Sequence, residues 1–462
     1  MVRAACHGTA GVLDLRRLRR RSRNSPPVTA ARVGRLLAAS ALAALCQFGT
    51  PGAQAVSPPQ VDDRWLPAPA RPAPPRPTVQ RDVCAALTTG PAPDTDPLAD
   101  LDLPRVWQLT RGAGQRVAVI DTGVSAHPRL PTVVPGGDYV STGDGAADCD
   151  AHGTLVAAMI AAATDSAGTG GVAPDATVIS IRQSSTKFAP AADRSRTGVG
   201  DVDTLAEAVR TAADLGASVI NISSVACVAA SSTLDDRALG AALAYAVDVK
   251  NVVVVAAAGN TGGGAQCPAQ RPDATWDDIT VAVSPAWYDD YVLTVGSVNA
   301  EGVPSPFTLA GPWVDVAATG ERVHPLGCEV SGTSFAAPVV SGVAALIRAR
   351  FPALTARQVM RRIESTAHHP PAGRDPLVGH GTIDALAAVS TDPGAPDDAA
   401  RPAPSPMPAP AHAPSPNRDA RGTALGGAAI CLIALAAALA AQAARTRART
   451  GPAGPDDGVA GH

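Results

Sequence analysis

Four polar residues of this sequence have types and spacing that suit nucleophilic catalysis. In chain order they are Asp121, His152, Asn260 and Ser334. A serine hydroxyl becomes a good nucleophile when a neighbouring base takes its proton, and the imidazole of histidine suits that task near neutral pH. A carboxylate such as Asp121 can orient the imidazole and stabilise its protonated form. These residue types therefore predict acyl transfer at Ser334, with His152 as the base.

The surroundings of Ser334 and Asn260 predict how a developing oxyanion would be stabilised. Ser334 lies in Ser331-Gly332-Thr333-Ser334, just before a run of small residues that is typical of a helix. Backbone N–H groups at a helix N-terminus favour negative charge. Asn260 follows an apolar run and can add a side-chain donor to the same oxygen.

Each segment also has a plainer interpretation when it is taken alone. Asp121-Thr122-Gly123 is compatible with a simple turn or with a fragment of an aspartic protease. His152 is compatible with a hydrogen-bonded histidine at a helix start, and Asn260 with a turn. The segment around Ser334 is more specific. The order Asp, His, Asn, Ser, each at the end of a strand or helix, favours the catalytic interpretation.

Apolar runs alternate with longer helical stretches between about residues 101 and 389. The predicted strands are residues 116–120, 178–181, 218–222 and 252–257, and the predicted helices are residues 155–163, 205–215, 234–249 and 339–350. Short apolar runs of this kind are typical of buried parallel strands. The alternation predicts an α/β fold with a doubly wound parallel sheet flanked by helices, and such a sheet would position the four polar residues at element ends.

The four segments together resemble the subtilase family, whose triad runs in the order Asp, His, Ser. The resemblance covers roughly residues 100 to 390 and implies a subtilisin-like serine endopeptidase with no cofactor and no metal ligands in its catalytic machinery. It assigns the triad to Asp121, His152 and Ser334 and the oxyanion donor to Asn260. In architecture the chain further resembles the mycosins, which are membrane-anchored subtilases associated with type VII secretion.

The family resemblance also assigns a wall of the substrate cleft. In subtilases the strand that corresponds to residues 220–224 pairs with an extended peptide, so Ser223 and Ser224 are expected to contact substrate as it adds a β-strand. This sequence has Ser223-Ser224-Val225 where the family more usually has Ser-Leu-Gly. We expect Val225 to narrow the cleft wall.

Five of the eight cysteines lie in the part of the chain predicted to face an oxidising compartment. Cys227 and Cys267 follow two strands that are expected to be sheet neighbours, so we pair them. Cys84 and Cys149 then form a second pair. Cys328 is left over, either as a buried thiol or as a residue that perturbs the nucleophile loop. The spacing of the cysteines contains no zinc signature.

The N-terminal region is typical of an exported protein. A basic run, an apolar stretch from 36 to 45 and a small-residue end at Ala53-Gln54-Ala55 resemble a secretory signal. The long basic part leaves open a later start site or a different export route, and Cys46 leaves open lipidation. The proline-rich residues that follow could hardly bury a core, so we expect them to wrap the catalytic domain rather than fold as an inhibitor.

An uncharged run at residues 422–444 is long enough to cross a bilayer, and arginines follow it closely. By the positive-inside rule the tail stays in the cytoplasm and the upstream chain lies outside. The predicted regions are a targeting region at 1–55, an arm at 56–100, a peptidase domain at 101–390, a Pro/Ala-rich linker at 391–421, a transmembrane helix at 422–444 and a tail at 445–462.

Charge and motifs exclude some functions. The formal net charge is −3, which gives no reason to expect a nucleic-acid partner. Asp121-Thr122-Gly123 does not provide the glycine-rich phosphate turn that a nucleotide-binding module needs. The expected partners are a protein or peptide substrate, the membrane and a type VII secretion membrane complex. The rival hypothesis is a mainly structural component of such a complex, with catalysis secondary.

Overall fold

The computed structural model describes residues 57–87, 97–166, 168–196, 198–262 and 267–390. The strands are β1 Thr78–Gln80, β2 Arg116–Asp121, β3 Val133–Asp138, β4 Thr177–Arg182, β5 Phe188–Pro190, β6 Val219–Ile222, β7 Ala226–Ala229, β8 Val253–Ala257, β9 Val281–Ser284, β10 Leu293–Val298 and β11 Val316–Thr319. The α-helices are α1 Leu103–Leu109, α2 His152–Ala161, α3 Val202–Asp214, α4 Arg237–Ala244, α5 Thr333–Arg350, α6 Ala356–Thr366 and α7 Ala385–Ser390. Single 3-10 turns occur at Asp63–Trp65, Ala99–Leu101 and Pro325–Gly327, and a π-helical turn occurs at Tyr245–Val249.

A seven-stranded parallel sheet in the order β11-β10-β8-β6-β2-β4-β3 forms the centre of the fold. Its middle strands are mostly apolar because helices cover both faces, and Ile120, Ile220 and Val254 are completely buried. The predicted doubly wound parallel sheet is therefore confirmed. After β2 the chain builds the sheet first toward β4 and β3 and then toward β6 and β8. The carboxyl ends of β2 and β6 consequently flank a crevice, where open α/β sheets place their sites.

The four predicted helices have different bounds in the structure, and those expected at 155–163 and 205–215 each begin three residues earlier, as His152–Ala161 and Val202–Asp214. The helix expected at 234–249 begins at Arg237, after Asp236, whose buried carboxylate accepts hydrogen bonds from Ser284 and Trp287. It then continues as the π-helical turn. The helix expected at 339–350 begins six residues earlier, at Thr333, and contains Pro338 in its interior.

Residues 57–87 form an arm that lies along the domain and has no fully buried residue of its own. β1 pairs antiparallel with β5, with Thr78 opposite Pro190. The ring of Trp65 lies 3.8 Å from the Arg237 guanidinium carbon, and the arm's Pro67 carbonyl accepts a 2.9 Å hydrogen bond from Arg210. The arm therefore depends on the domain for its structure, as the sequence led us to expect.

No helix within the described ranges is both long and apolar enough to cross a membrane. The predicted targeting region, the linker, the transmembrane segment at 422–444 and the tail lie outside the described residues.

Candidate active site

Asp121 and His152 lie at the ends of two elements that meet in the crevice. Asp121 is the last residue of β2 and is 1% exposed, while His152 is the first residue of α2. Their Oδ1 and Nδ1 atoms are 2.7 Å apart. An ionised carboxylate accepts only, so the proton of this contact lies on Nδ1, and Nε2 of the neutral ring is left as an acceptor. His152 therefore has the tautomer that a general base for a serine requires.

The electrostatic surroundings of His152 favour its protonated form. Burial by itself lowers the pKa of the imidazole, but the negative charge of Asp121, its hydrogen bond and the charges of Asp148 and Asp150 raise it. The net effect is a pKa above the ordinary value of 6.5. A base with this pKa can hold the proton that it takes from a serine during a reaction near neutral pH.

Ser334 lies in the first turn of α5, and Ser223 fixes its backbone and its hydroxyl. Pro338 has no N–H to donate to the carbonyl of Ser334, four residues earlier. That carbonyl instead accepts a 2.8 Å hydrogen bond from Ser223 Oγ, and Ser334 Oγ donates to the Ser223 carbonyl at 2.8 Å. The interior proline of α5 is thus part of what joins the nucleophile loop to β6.

Asn260 presents its amide group to the same place. It follows β8 through Gly259, which has a φ of +103°. Its Oδ1 accepts hydrogen bonds from the backbone N–H of Thr333 at 2.9 Å and from Thr333 Oγ1 at 3.0 Å. With Oδ1 committed to Thr333, the Nδ2 donors remain available to a substrate oxygen bound next to Ser334.

One cleft of about 400 Å³ brings the predicted residues together. Asp121, His152, Ser223, Ser224, Asn260 and Ser334 all line it. Val225 also lines this cleft, together with Ala85 of the arm. The serine hydroxyl, the imidazole and the amide of Asn260 therefore face the same volume, which is large enough for a segment of extended peptide.

Two disulfides border the cleft. Cys84 is bonded to Cys149, three residues before His152, and Cys227 is bonded to Cys267. Cys267 itself lines the cleft. Cys328 is buried and belongs to neither disulfide. Among the described residues, no group of three or more His, Cys, Asp or Glu side chains is arranged to hold a metal ion.

Sequence reasoning missed the carboxylates of the loop before α2. Asp150 accepts hydrogen bonds from Ser185 and Thr186, and the Thr186 N–H contact is 2.8 Å long. Asp148 accepts from Thr122, which follows Asp121, and from Thr154, which is two residues after His152. The sequence did contain a signal for them: a carboxylate that precedes a predicted helix start can cap the helix, and this segment has two such carboxylates.

Comparison with known proteins agrees with this geometry. A family model described as the Subtilase family matches residues 112–381. Mycosin-4 of Mycobacterium tuberculosis (strain ATCC 25618 / H37Rv) is 67% identical over 456 residues, which are 92% of this chain and 100% of that protein. The structure of MycP3 protease from the type VII (ESX-3) secretion system is 45% identical with a TM-score of 0.67, over 73% of this chain and 100% of that chain.

A chain in the structure of an intact ESX-5 inner membrane complex is 40% identical to this chain. Its TM-score is 0.68, and the match covers 84% of this chain and 100% of that one. The family model spans more than half of the sequence, and the predicted resemblance to subtilases and mycosins is confirmed. The chain belongs to the Subtilase family and is a subtilisin-like serine protease with mycosins among its relatives.

Proposed function

We propose that this protease hydrolyses peptide bonds of exported proteins through Asp121, His152 and Ser334, with Asn260 as an oxyanion donor. The observation that carries the proposal is the 2.7 Å contact between His152 Nδ1 and Asp121 Oδ1 in the cleft that Ser334 also lines. In the reaction, Ser334 Oγ attacks the substrate carbonyl carbon and His152 Nε2 takes the hydroxyl proton. The serine hydroxyl must turn from the Ser223 carbonyl to His152, as contacts of this kind often tighten only in the substrate complex.

The tetrahedral intermediate carries its negative charge on the former carbonyl oxygen. Asn260 Nδ2 and the backbone N–H of Ser334 are the donors for that oxygen. The intermediate collapses when His152 gives its proton to the leaving amine, which leaves an ester between Ser334 Oγ and the substrate acyl group. Water then attacks this ester, with His152 again as the base, and releases the acid.

We propose further that the enzyme acts outside the cytoplasm, held by a transmembrane helix at 422–444. The support is the uncharged run, the arginines that follow it and the presence of disulfides in the described domain. The match to a chain of the ESX-5 inner membrane complex supports assembly with a type VII secretion complex.

A fluorophosphonate probe tests the catalytic proposal, because it reacts covalently with activated serines. We expect the full-length chain to be labelled at Ser334 and the Ser334→Ala variant, equally well folded, to remain unlabelled. Absence of labelling in folded wild-type protein with both disulfides formed would contradict the proposal.

A structural role in a secretion complex is the second candidate, favoured by the same match to a membrane assembly. Complementation separates the two candidates. If the Ser334→Ala variant restores secretion in a strain that lacks the gene as well as the wild type does, assembly is the main role. If it fails while its protein level is normal, hydrolysis is required.

A further inference from the structure

Asp148 lies in the loop before α2, and its carboxylate accepts four hydrogen bonds. One comes from the residue after Asp121, one from its own loop, and two from the first turn of the helix that begins at His152. Oδ1 accepts from Thr122 Oγ1 at 2.8 Å and from the Asp150 N–H at 3.0 Å. Oδ2 accepts from the N–H of Thr154 at 2.9 Å and from its hydroxyl at 2.7 Å. Thr122 directly follows Asp121, and Thr154 is two residues after His152. The carboxylate therefore joins the turn after β2 to the first turn of α2.

Thr122 continues this connection to the residues next to the triad. Its hydroxyl donates its single proton to Asp148 and accepts a 2.9 Å hydrogen bond from the N–H of Gly153. Its own N–H donates to Asp121 Oδ1 at 2.7 Å. Because a hydroxyl has one proton to donate and two lone pairs that accept, Thr122 can bind Asp148 and Gly153 at the same time.

Side chains from outside α2 cap its start, since Thr122 accepts from the N–H of Gly153 and Asp148 accepts from the N–H of Thr154. The residue before the helix, Ala151, has a φ of +66° and offers no side-chain acceptor. Asp148 supplies the acceptor for Thr154, and a negative charge at a helix N-terminus is favourable. The first turn of α2 also packs closely against the turn after β2, since a Cβ added at Gly153 would lie 2.2 Å from the Gly123 carbonyl oxygen.

We propose that Asp148 is a positioning residue that holds His152 against Asp121 by fixing the helix start to the turn after β2. This role rests on the proposed triad. Asp148 contacts neither the serine nor the volume of the cleft, so it acts through Thr122 and Thr154. Its loss leaves the reacting side chains chemically intact but lets the helix start, and His152 with it, move relative to the strand.

The charge of Asp148 allows its role to be tested by a second, independent measurement, the pKa of His152. The groups that act on His152 are Asp121 at the end of β2 and Asp148 and Asp150 in the loop, all of which raise its pKa. Lys187, from the segment before β5, lines the same cleft. Removal of the Asp148 charge lowers the pKa of His152, whereas a purely structural role would leave that pKa unchanged.

The rate constant of fluorophosphonate labelling, measured across pH on the full-length chain, tests the proposal without a known substrate. For Asp148→Asn we expect a roughly 10- to 100-fold slower reaction at the pH optimum and an acid limb displaced to lower pH. Asp273→Asn serves as the matched control, because Asp273 is 71% exposed and pairs only with Arg271. It should label as the wild type does.

A pair of threonine variants keeps the test decisive if Asp148→Asn does not fold. Thr122→Val removes the hydroxyl at nearly constant volume and should slow labelling similarly without moving the acid limb, while Thr122→Ser should restore the rate. Unchanged rates in Asp148→Asn or in Thr122→Val would overturn the positioning role. Wild-type protein that does not label at all would instead overturn the proposed triad.

Discussion

A single oxygen atom, Asp121 Oδ1, accepts hydrogen bonds from both His152 Nδ1 and Thr122 N, each 2.7 Å long. The other oxygen, Oδ2, is buried and makes no hydrogen bond to the described residues. The direction of the imidazole is therefore set by the same atom that fixes the turn after β2. Any change that moves this turn also moves the base.

The raised pKa of His152 predicts the acid limb of the reaction. A general base works only when it is unprotonated, so activity is present above the pKa of His152 and is lost as the pH falls through it. That pKa lies above 6.5, because the charge and hydrogen bond of Asp121 and the charges of Asp148 and Asp150 together outweigh the effect of burial. We expect the rate of fluorophosphonate labelling to reach half its plateau above pH 6.5. A half-maximal pH well below this value would contradict the assignment.

Val225 predicts a preference for small side chains in the substrate. A Cβ added at Gly259 would lie 3.6 Å from Val225 Cγ2 and 3.1 Å from Cys267 Sγ. Little space therefore remains between Gly259 and these two side chains. We expect peptidyl phosphonates that end in alanine to inactivate the wild type faster than those that end in phenylalanine. In Val225→Gly the ratio should shift toward phenylalanine by about 10-fold or more.

Val225→Ala is the matched control for this change and should give an intermediate ratio. The same ratio in all three proteins would mean that Val225 does not limit the cleft. Labelling with a small fluorophosphonate should remain similar in each, since Val225 has no part in proton transfer.

At the scale of elements, the arm is held by one short β pairing, one disulfide and side-chain contacts such as those of Trp65 and Pro67 with the domain. The bond between Cys84 and Cys149 closes a loop over a sequence separation of 65. In the chain-entropy description a loop of this length contributes roughly 4 kcal/mol to the free energy of unfolding. We expect Cys84→Ser/Cys149→Ser to lower that free energy by up to this amount in urea titrations, and also to slow labelling because Cys149 lies between Asp148 and Asp150.

The control for this experiment is Cys328→Ser, which leaves both disulfides intact. If the double variant unfolds at the same urea concentration as the wild type, the arm contributes nothing to the stability of the domain. A double variant that keeps the wild-type stability but is labelled more slowly would show that the disulfide positions the loop before α2 rather than stabilising the fold.

The strands could be predicted more closely than the helices. Apolar runs gave β4 and β8 to within one residue at each end, because a buried parallel strand must be apolar on both faces. For α5 the small-residue run predicts a helix N-terminus at Ser334, but the helical stretch is predicted only from residue 339, because the sequence does not show that Ser223 satisfies the carbonyl that Pro338 leaves free. The role of Asp148 likewise depends on contacts across 26 residues with Thr122.

At the scale of the whole molecule, the order of the strands decides where the chemistry lies. The sheet grows in one direction from β2 to β4 and in the other from β2 to β6 and β8. Asp121 ends β2, Ser223 follows β6 and Asn260 follows β8, so the crevice at these carboxyl ends gathers residues that are far apart in sequence. The α/β alternation predicted this architecture, but it could not predict which loops would close on the crevice.

The disulfide of the arm also decides what proteolysis can do to this molecule. A single cut anywhere between residues 85 and 148 would produce a nicked, two-chain protein whose fragments stay joined through Cys84 and Cys149. Its mass would rise by one water, and the pieces would separate only after reduction. Maturation by trimming of the arm therefore requires two chemical events, hydrolysis and thiol exchange, unless the cut falls before Cys84. In that case only non-covalent contacts hold the severed piece, among them the pairing with β5 and the contacts of Trp65 and Pro67.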